Sequence, residues 1–397
     1  MSDVQWLFLA LALLYAWECA CWIRRGSVAF TTWLGLDWRA QHPGTLVGNQ
    51  RGGFILAPPL PPLGTVLTAS TLPLSVSPDG VLAYVATNVN PGWRPPQNGR
   101  FIRFADVRNV RAQGRKVFVH GKVFLAAHST GLANHLAAEL ARVAKLEPPQ
   151  RESALLEWTR AMFDLKAIER RRRELSSHSR PLRLLTNALF VYLFVAAPVV
   201  IWHLGFKLSW LGLLLGLLAL TIATAAMFQR AHRALFPRAG DERFTHVLTI
   251  ALSPPTAMRA LDALSRHLLE MFHPLAVGMA LMPKRQAAEF ARRVLLDLKH
   301  PARPICPGED PRVHATERHA REVLRTVSEE MLRQSGLDPD NLCRAPAPAD
   351  ATCRTYCPRC DAQFTVENGA CADCGGLALL TFGQARSEPP SPLGEQP

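Results

Sequence analysis

The chain has 397 residues, of which 48% are apolar and 19% are charged, and its formal net charge is +13. This length accommodates two or three domains, which excludes a single small module. The mean hydropathy of +0.05 averages strongly apolar blocks with polar ones, so the chain is expected to combine membrane and aqueous parts.

The first apolar block, residues 4–23, is long enough to cross the hydrocarbon core of a membrane, which is ~30 Å thick. Asp3 precedes this block, and Arg24 and Arg25 follow it. This is the reverse of the charge order in a secretory signal peptide. We therefore predict an uncleaved transmembrane helix whose N-terminus lies outside the cytoplasm.

Residues 28–147 alternate short apolar runs with turn residues, a pattern typical of β-hairpins. His120-Gly121 is predicted to form a two-residue turn, because glycine adopts positive φ without strain. Ser129 is then predicted to cap a closing helix. The apolar face of that helix is predicted to comprise Leu132, Leu136, Leu140 and Val143.

The strand Ile102–Val110, the glycine-centred hairpin and the closing amphipathic helix together resemble the bacterial pleckstrin-homology-like (PH-like) domains of membrane-bound proteins. The resemblance covers residues 63–146 and rests on this pattern. It implies a curved sheet closed by a helix, used for membrane-proximal scaffolding or for contact with peptides and lipids, without catalytic residues. Another small barrel or sandwich is the alternative, since the same short strands fit many folds.

Residues 150–181 are predicted to form a basic stalk helix that runs to the membrane. Residues 24–181 hold 22 Lys and Arg against 10 Asp and Glu, so most of the excess positive charge lies in this region. Contact with anionic lipid is predicted at Arg170, Arg171, Arg172 and Arg173. A topogenic role without lipid recognition is an alternative of equal weight. RNA binding ranks below both, because no aromatic residues are interleaved with the arginines.

Residues 182–228 contain two apolar stretches separated by a short turn at residues 205–207, which predicts a transmembrane helical hairpin. Arginines flank the hairpin on both outer sides, so both flanks are expected in the cytoplasm. With the first helix, this predicts three spans in an inner membrane, with the N-terminus outside and the C-terminus in the cytoplasm. A buried hairpin of a soluble protein is the alternative, but soluble core helices are seldom apolar on every face.

Residues 241–342 are predicted to form a helical cytoplasmic domain. His314, Glu317 and His319 are its candidate chemical site, because histidine and glutamate together bind metal or transfer protons. Two histidines five residues apart lie about 140° apart around a helix, so a solvated helix face is the favoured interpretation. His267 and His273 are interpreted as structural.

Residues 353–380 contain two C-x-x-C pairs separated by ten residues, which is the ligand pattern of a zinc ribbon. The predicted ligands of a structural Zn²⁺ are Cys357, Cys360, Cys371 and Cys374. Cys353 is left open, either as a replacement ligand or as a free thiol. A redox dithiol or an iron site is the alternative, and disulfides are disfavoured on the cytoplasmic side. Residues 381–397 are predicted to be a disordered tail.

Together these features predict an α+β multidomain integral membrane protein that acts as a non-catalytic adaptor or scaffold. The ribbon and the PH-like domain would make protein or membrane-surface contacts. A membrane-associated enzyme with its site in residues 241–342 is one alternative, and a ribbon that contacts nucleic acid is another. The sequence contains no P-loop, G-x-G-x-x-G or G-x-S-x-G motif that would name a reaction.

Overall fold

A computed structural model gives the fold, which mixes helices with small antiparallel sheets. The residues that the structure describes are 3–20, 27–33, 45–47, 64–70, 74–84, 99–127, 129–237, 240–265, 267–300, 310–374 and 376–382. The predicted flank Arg24-Arg25 and nearly all of the predicted tail lie outside these residues.

Three small antiparallel sheets form the N-terminal β region, each made of three neighbouring strands. The first sheet has the order β2-β1-β3 and consists of β1 (Ser27–Trp33), β2 (Thr45–Val47) and β3 (Gly64–Ser70). The second is the meander β4 (Leu74–Ser77), β5 (Gly80–Tyr84) and β6 (Gly99–Arg103). After a short 3₁₀ turn, the third comprises β7 (Arg111–Gln113), β8 (Lys116–Val119) and β9 (Lys122–Ala126).

The predicted turn at His120-Gly121 is confirmed. These two residues connect β8 to β9, with φ of 53° and 75° respectively. Positive φ at both central residues is the geometry that matches the twist of the flanking strands.

The predicted closing helix is also confirmed, as α2 (Thr130–Ala144). The Ser129 side chain accepts a hydrogen bond of 3.0 Å from the Leu132 amide, so one of the free N–H groups at the helix start is satisfied. The predicted apolar face of α2 is buried against the second and third sheets, in a core that also takes Leu155 and Trp158 from the next helix.

The stalk region is interrupted, unlike the single helix expected over residues 150–181. Helix α3 covers Pro148–Met162, with Phe163 as its C-cap, and α4 (Leu165–Val191) begins after Asp164. The Asp164 carboxylate accepts from the Ala167 amide at 3.0 Å and so caps α4. The helical hydrogen-bonding pattern is therefore broken here, although the apolar pattern of the sequence continues through the break.

Helix α4 continues into the most apolar part of the molecule. It passes through a π-helical turn (Tyr192–Ala196) into α5 (Ala197–Leu204). After Gly205 the chain runs back in the opposite direction as α6 (Phe206–Leu235). Pro198 follows the π turn, where it cannot donate a hydrogen bond to the preceding turn. Within the part of the chain that the structure describes, two helical segments are long and apolar enough to cross a membrane: residues 165–204 and 209–235. Less than a third of the most apolar window of either is buried inside the protein.

The first helix, α1 (Asp3–Ala20), packs beside this pair. The Tyr15 ring lies 6.2 Å from the Phe194 ring, centroid to centroid, and Phe8 contacts the same ring edge-on. The apolar stretch of α1 with described side chains, Gln5–Tyr15, is shorter than a span. The structure therefore supports two candidate spans, and the three-span topology stays a prediction.

Short helices and two longer ones follow α6. They are α7 (Gly240–Leu252), α8 (Pro254–Met258), α9 (Ala260–Ser265), α10 (Pro274–Leu281), α11 (Lys284–Lys299), α12 (Pro311–Gln334) and α13 (Pro339–Leu342). Their common core also takes Phe30 and Leu67 from the first sheet. The predicted range 28–147 thus contributes to two hydrophobic cores.

Helix α12 joins the helical core to the N-terminal region. Its Thr316 hydroxyl lies 3.1 Å from the Ser77 hydroxyl at the end of β4, in a buried contact. Nearer its C-terminal end, Glu330 accepts a hydrogen bond from Arg160 of α3 at 3.2 Å. The predicted helical domain is therefore packed against the β region along one side.

Candidate metal centre

The C-terminal module is built from very short strands. One sheet has the order β11-β10-β14, from β10 (Thr355–Tyr356), β11 (Gln363–Phe364) and β14 (Leu380–Thr381). The other pairs β12 (Ala370–Cys371) with β13 (Leu377–Ala378). Strands of two residues bury little surface, so they need another source of stability.

The first cysteine pair lies in a tight turn directly after β10. The Cys357 amide donates to the Ala362 carbonyl at 2.8 Å, and the Asp361 amide donates to the Cys357 carbonyl at 3.0 Å. Asp361 closes this turn with φ of 60°, a conformation that aspartate tolerates better than most residues. The turn brings the thiols of Cys357 and Cys360 to one side.

The second pair repeats this arrangement from β12. The amides of Cys374 and Gly376 both donate to the Cys371 carbonyl, at 3.2 Å and 2.9 Å. Gly376 has φ of 85°, where a side chain would be strained. The turn therefore requires glycine at position 376, the second residue after the second C-x-x-C pair.

The two turns bring four sulfur atoms together. The Sγ atoms of Cys357, Cys360, Cys371 and Cys374 all lie within 4.8 Å of one another, and those of Cys360 and Cys371 are 3.7 Å apart. A tetrahedral site with Zn–S bonds of ~2.3 Å has S···S edges of about 3.8 Å. The thiols are thus spaced to hold one tetrahedral metal ion.

Burial favours a cation among these thiols. Cys357, Cys371 and Cys374 are buried, and Phe364, Leu377 and Leu379 pack against them. Burial and the neighbouring sulfur atoms raise the pKa of the Cys374 thiol in the metal-free chain. A bound cation offsets both effects, because it stabilises the thiolate form of its ligands.

Cys353 lies apart from this group. Its thiol donates to the Asp350 carboxylate at 3.6 Å, in the segment that precedes β10. The four clustered thiols fill a tetrahedral coordination sphere without it.

The first cysteine turn is docked on helix α11 by two ion pairs. Arg292 donates to the Asp361 carboxylate at 2.9 Å, and Arg359 donates to the Asp297 carboxylate. Each pair joins a residue beside Cys360 to a residue of α11, with the order of charges reversed between the two pairs. This crossed arrangement fixes the orientation of the turn on the helix, because exchanging the contacts would place like charges together.

The side chain of Gln363 holds the linker that enters the module. Its carbonyl oxygen accepts from the Ala349 amide at 2.7 Å, and its amide nitrogen donates to the Ala347 carbonyl at 2.8 Å. The proline-containing linker is thereby fixed along β11.

The four consecutive arginines of the stalk, residues 170–173, differ in their exposure and in their ion pairs. Arg171 and Arg172 form ion pairs with Glu174 and Glu169 of the same helix, at 3.0 Å and 2.6 Å. Arg170 and Arg173 are exposed. Arg173 Nε also lies 3.9 Å from the Glu169 carboxylate, so three of the four predicted lipid-contacting arginines have a carboxylate partner.

Among the described residues, His314, Glu317 and His319 do not form a group that could hold a metal ion. His319 lines a cavity together with His273, whereas His314 and Glu317 are not among the described residues that line it. The other histidine that was interpreted as structural, His267, contacts the Glu270 carboxylate.

Comparison with protein-family models, with curated proteins and with solved structures finds no match to the chain. The predicted resemblance to PH-like domains consequently has no support from a relative.

The two ion pairs of the first cysteine turn were not predicted from the sequence. Arg359 and Asp361 are visible in the sequence as charged residues on either side of Cys360. Their partners on α11 lie more than 60 residues earlier in the chain, and no local pattern identifies them.

Proposed function

We propose that the protein is a membrane-anchored, non-catalytic adaptor at the cytoplasmic face of a bacterial inner membrane, with a structural zinc ribbon as its interaction module. The observation that carries this proposal is the closed set of four thiols docked on α11. Four protein ligands leave no position at the metal for a substrate, which favours a structural role.

Zinc is the metal that this donor set favours. Four thiolates in tetrahedral arrangement suit Zn²⁺ or an iron–sulfur centre. The module is small, and its metal-binding energy would supply most of the folding energy, as in other short zinc domains. When bound, zinc would act as a cross-link between the two cysteine turns.

The membrane part of the proposal is supported by the exposed apolar faces of α4 to α6. Leu184, Val191, Trp202, Leu211 and Leu215 are each more than half exposed. Core helices of soluble proteins bury such side chains, whereas a lipid environment covers them. Three spans, an outside N-terminus and a cytoplasmic C-terminus follow from the charge pattern and remain part of the proposal.

The adaptor role is supported by the division of the ribbon surface. One side is docked on α11, and the loop from residue 365 to residue 370, which connects β11 to β12, is exposed, with the Val366 side chain 48% exposed. An exposed loop on a docked module is a suitable surface for a protein partner.

Metal content tests the zinc site. We expect the purified full chain to contain one zinc per molecule, and Cys371→Ser to lose it. Cys353→Ser is the matched control and should keep full zinc content. Iron with visible absorbance in the purified chain, or zinc retained by Cys371→Ser, would contradict the assignment.

Cross-linking in the cell tests the adaptor role. A photoreactive amino acid at Val366 should yield a discrete cross-linked protein in the wild-type background but not in the Cys371→Ser background. The same group at Glu367 is a neighbouring-position control within the same loop. Cross-linking to nucleic acid, or no cross-link at either position, would remove the adaptor proposal.

A further inference from the structure

A cavity of about 160 Å³ lies where the β region meets the helical core. Its walls come from β4, α3, α12 and His273, which precedes α10. Most of the wall is apolar, from Leu74, Leu155, Met162, Val323 and Leu324. Ala320, Val323 and Leu324 of α12 are half-buried, so the cavity approaches the surface along that helix.

One wall residue has an unused hydrogen-bond donor. Trp158 is 6% exposed, and within the described part of the chain its Nε1 is buried with no hydrogen-bond partner. A buried N–H without an acceptor destabilises the folded chain, and tryptophan in such a place normally has a partner. An acceptor atom inside the cavity would satisfy this donor.

Two histidines, His273 and His319, add further polar atoms to the cavity wall. The His273 Nδ1 accepts a hydrogen bond from the Leu275 amide at 3.2 Å, so in the neutral ring the proton is on Nε2. Burial lowers the pKa of His273 to about 4, which keeps this ring neutral at pH 7. His319 contributes a second buried nitrogen, Nε2, which has no partner among the described residues.

The lack of charged side chains among the described residues of the cavity wall restricts the charge of a ligand that could bind there. The described residues that line the cavity include no Lys, Arg, Asp or Glu, so a charged ligand would lose its hydration without gaining an ion pair. A cavity of about 150 Å³ holds a benzene-sized molecule. The fixed N–H donors call for an acceptor oxygen on the ligand.

We propose that this cavity binds a neutral, ring-sized organic molecule that carries one carbonyl oxygen, with Trp158 Nε1 donating to that oxygen. The ligand would contact α3 on one side and α12 on the other, and would thus connect the β region with the helical core. This binding does not require the ribbon or its metal.

Ligand-observed ¹⁹F NMR on the full chain in detergent micelles tests the proposal with two matched probes. The first is 4-fluoroacetophenone, and the second is 1-ethyl-4-fluorobenzene, which has a similar shape but no carbonyl. We expect Trp158→Phe to weaken acetophenone binding about tenfold, because the ring stays while the N–H is lost. Binding of the carbonyl-free probe should be the same in both proteins.

Two further variants separate cavity binding from partition into detergent. Ala320→Phe should fill the cavity and abolish binding of both probes, whereas Arg318→Ala, an exposed change on the same helix, should leave both unchanged. Zinc content and circular dichroism verify that each variant is folded. Equal acetophenone binding by wild type and Trp158→Phe, or equal signals in all variants, would overturn the proposal.

Discussion

The ribbon and the domain formed by β4 to β9 with α2 are comparable small β structures with opposite sources of stability. The domain has a core of buried apolar side chains that includes Phe104, Leu132 and Leu136. The ribbon buries mainly its own cysteines, with a few partly buried residues around them. Apolar burial should therefore hold the first together, and metal coordination the second. The first two of the following changes should each affect one of the two structures and spare the other.

Removing the metal should have the largest effect. Structural zinc sites have apparent binding free energies of about 10–16 kcal/mol at neutral pH, which is folding free energy in so small a module. We expect a zinc chelator to unfold residues 354–382 and leave α2 folded. Hydrogen exchange followed by mass spectrometry would report both regions in one sample. Persistent protection of β10 after zinc removal would contradict this prediction.

Truncating a core side chain of the β domain should have the second largest effect. Leu136 is fully buried, and Leu136→Ala should lower the free energy of unfolding of this domain by about 2–5 kcal/mol. Zinc content should not change. Asn134→Ala, at an exposed position of the same helix, is the control for both measurements. Urea titration monitored by hydrogen exchange of α2 provides the comparison.

Acid should weaken the joint between the β region and the helical core through His273. Its pKa falls from 6.5 to about 4 on folding because of burial, so the unfolded chain binds the proton more tightly. Stability is then lost as the pH falls from about 6.5 towards 4, by roughly 3 kcal/mol in total at about 1.4 kcal/mol per pKa unit. His273→Asn can still cap α10, and it should flatten this part of the pH profile. His178→Asn, at an exposed position, should not.

Breaking the docking ion pairs should have the smallest effect. Arg359→Ala should leave zinc content unchanged and cost about 1 kcal/mol, as expected for a partly exposed pair. The looser ribbon should be cleaved faster by protease in the linker from residue 344 to residue 350. Arg354→Ala, exposed on the same module, is the control. Loss of zinc from Arg359→Ala would show that docking and metal binding are not separable.

Sequence reasoning predicted the features whose causes are local. The spacing of the C-x-x-C pairs identified the four clustered thiols, and Ser129 and His120-Gly121 identified a cap and a turn, because neighbouring residues determine each of these. The break at Phe163–Asp164 was missed, although Asp164 is a good cap, because the apolar pattern continues through it. The cavity at Trp158 was also missed, because residues from distant parts of the chain form it, and Trp158 alone has the pattern of an ordinary core residue.

Helix α12 links the cavity to the metal module. Ala320 and Leu324 lie in the middle of this helix, and from Leu324 to its end at Gln334 is about 15 Å at 1.5 Å per residue. The chain then passes through α13 and the fixed linker into the ribbon. Because the helix is uninterrupted, a displacement of α12 at the cavity wall would also shift the chain that leads to the ribbon. If a ligand in the cavity displaces α12, reciprocity requires that a partner which moves the ribbon through α12 changes the affinity of the cavity by the same factor.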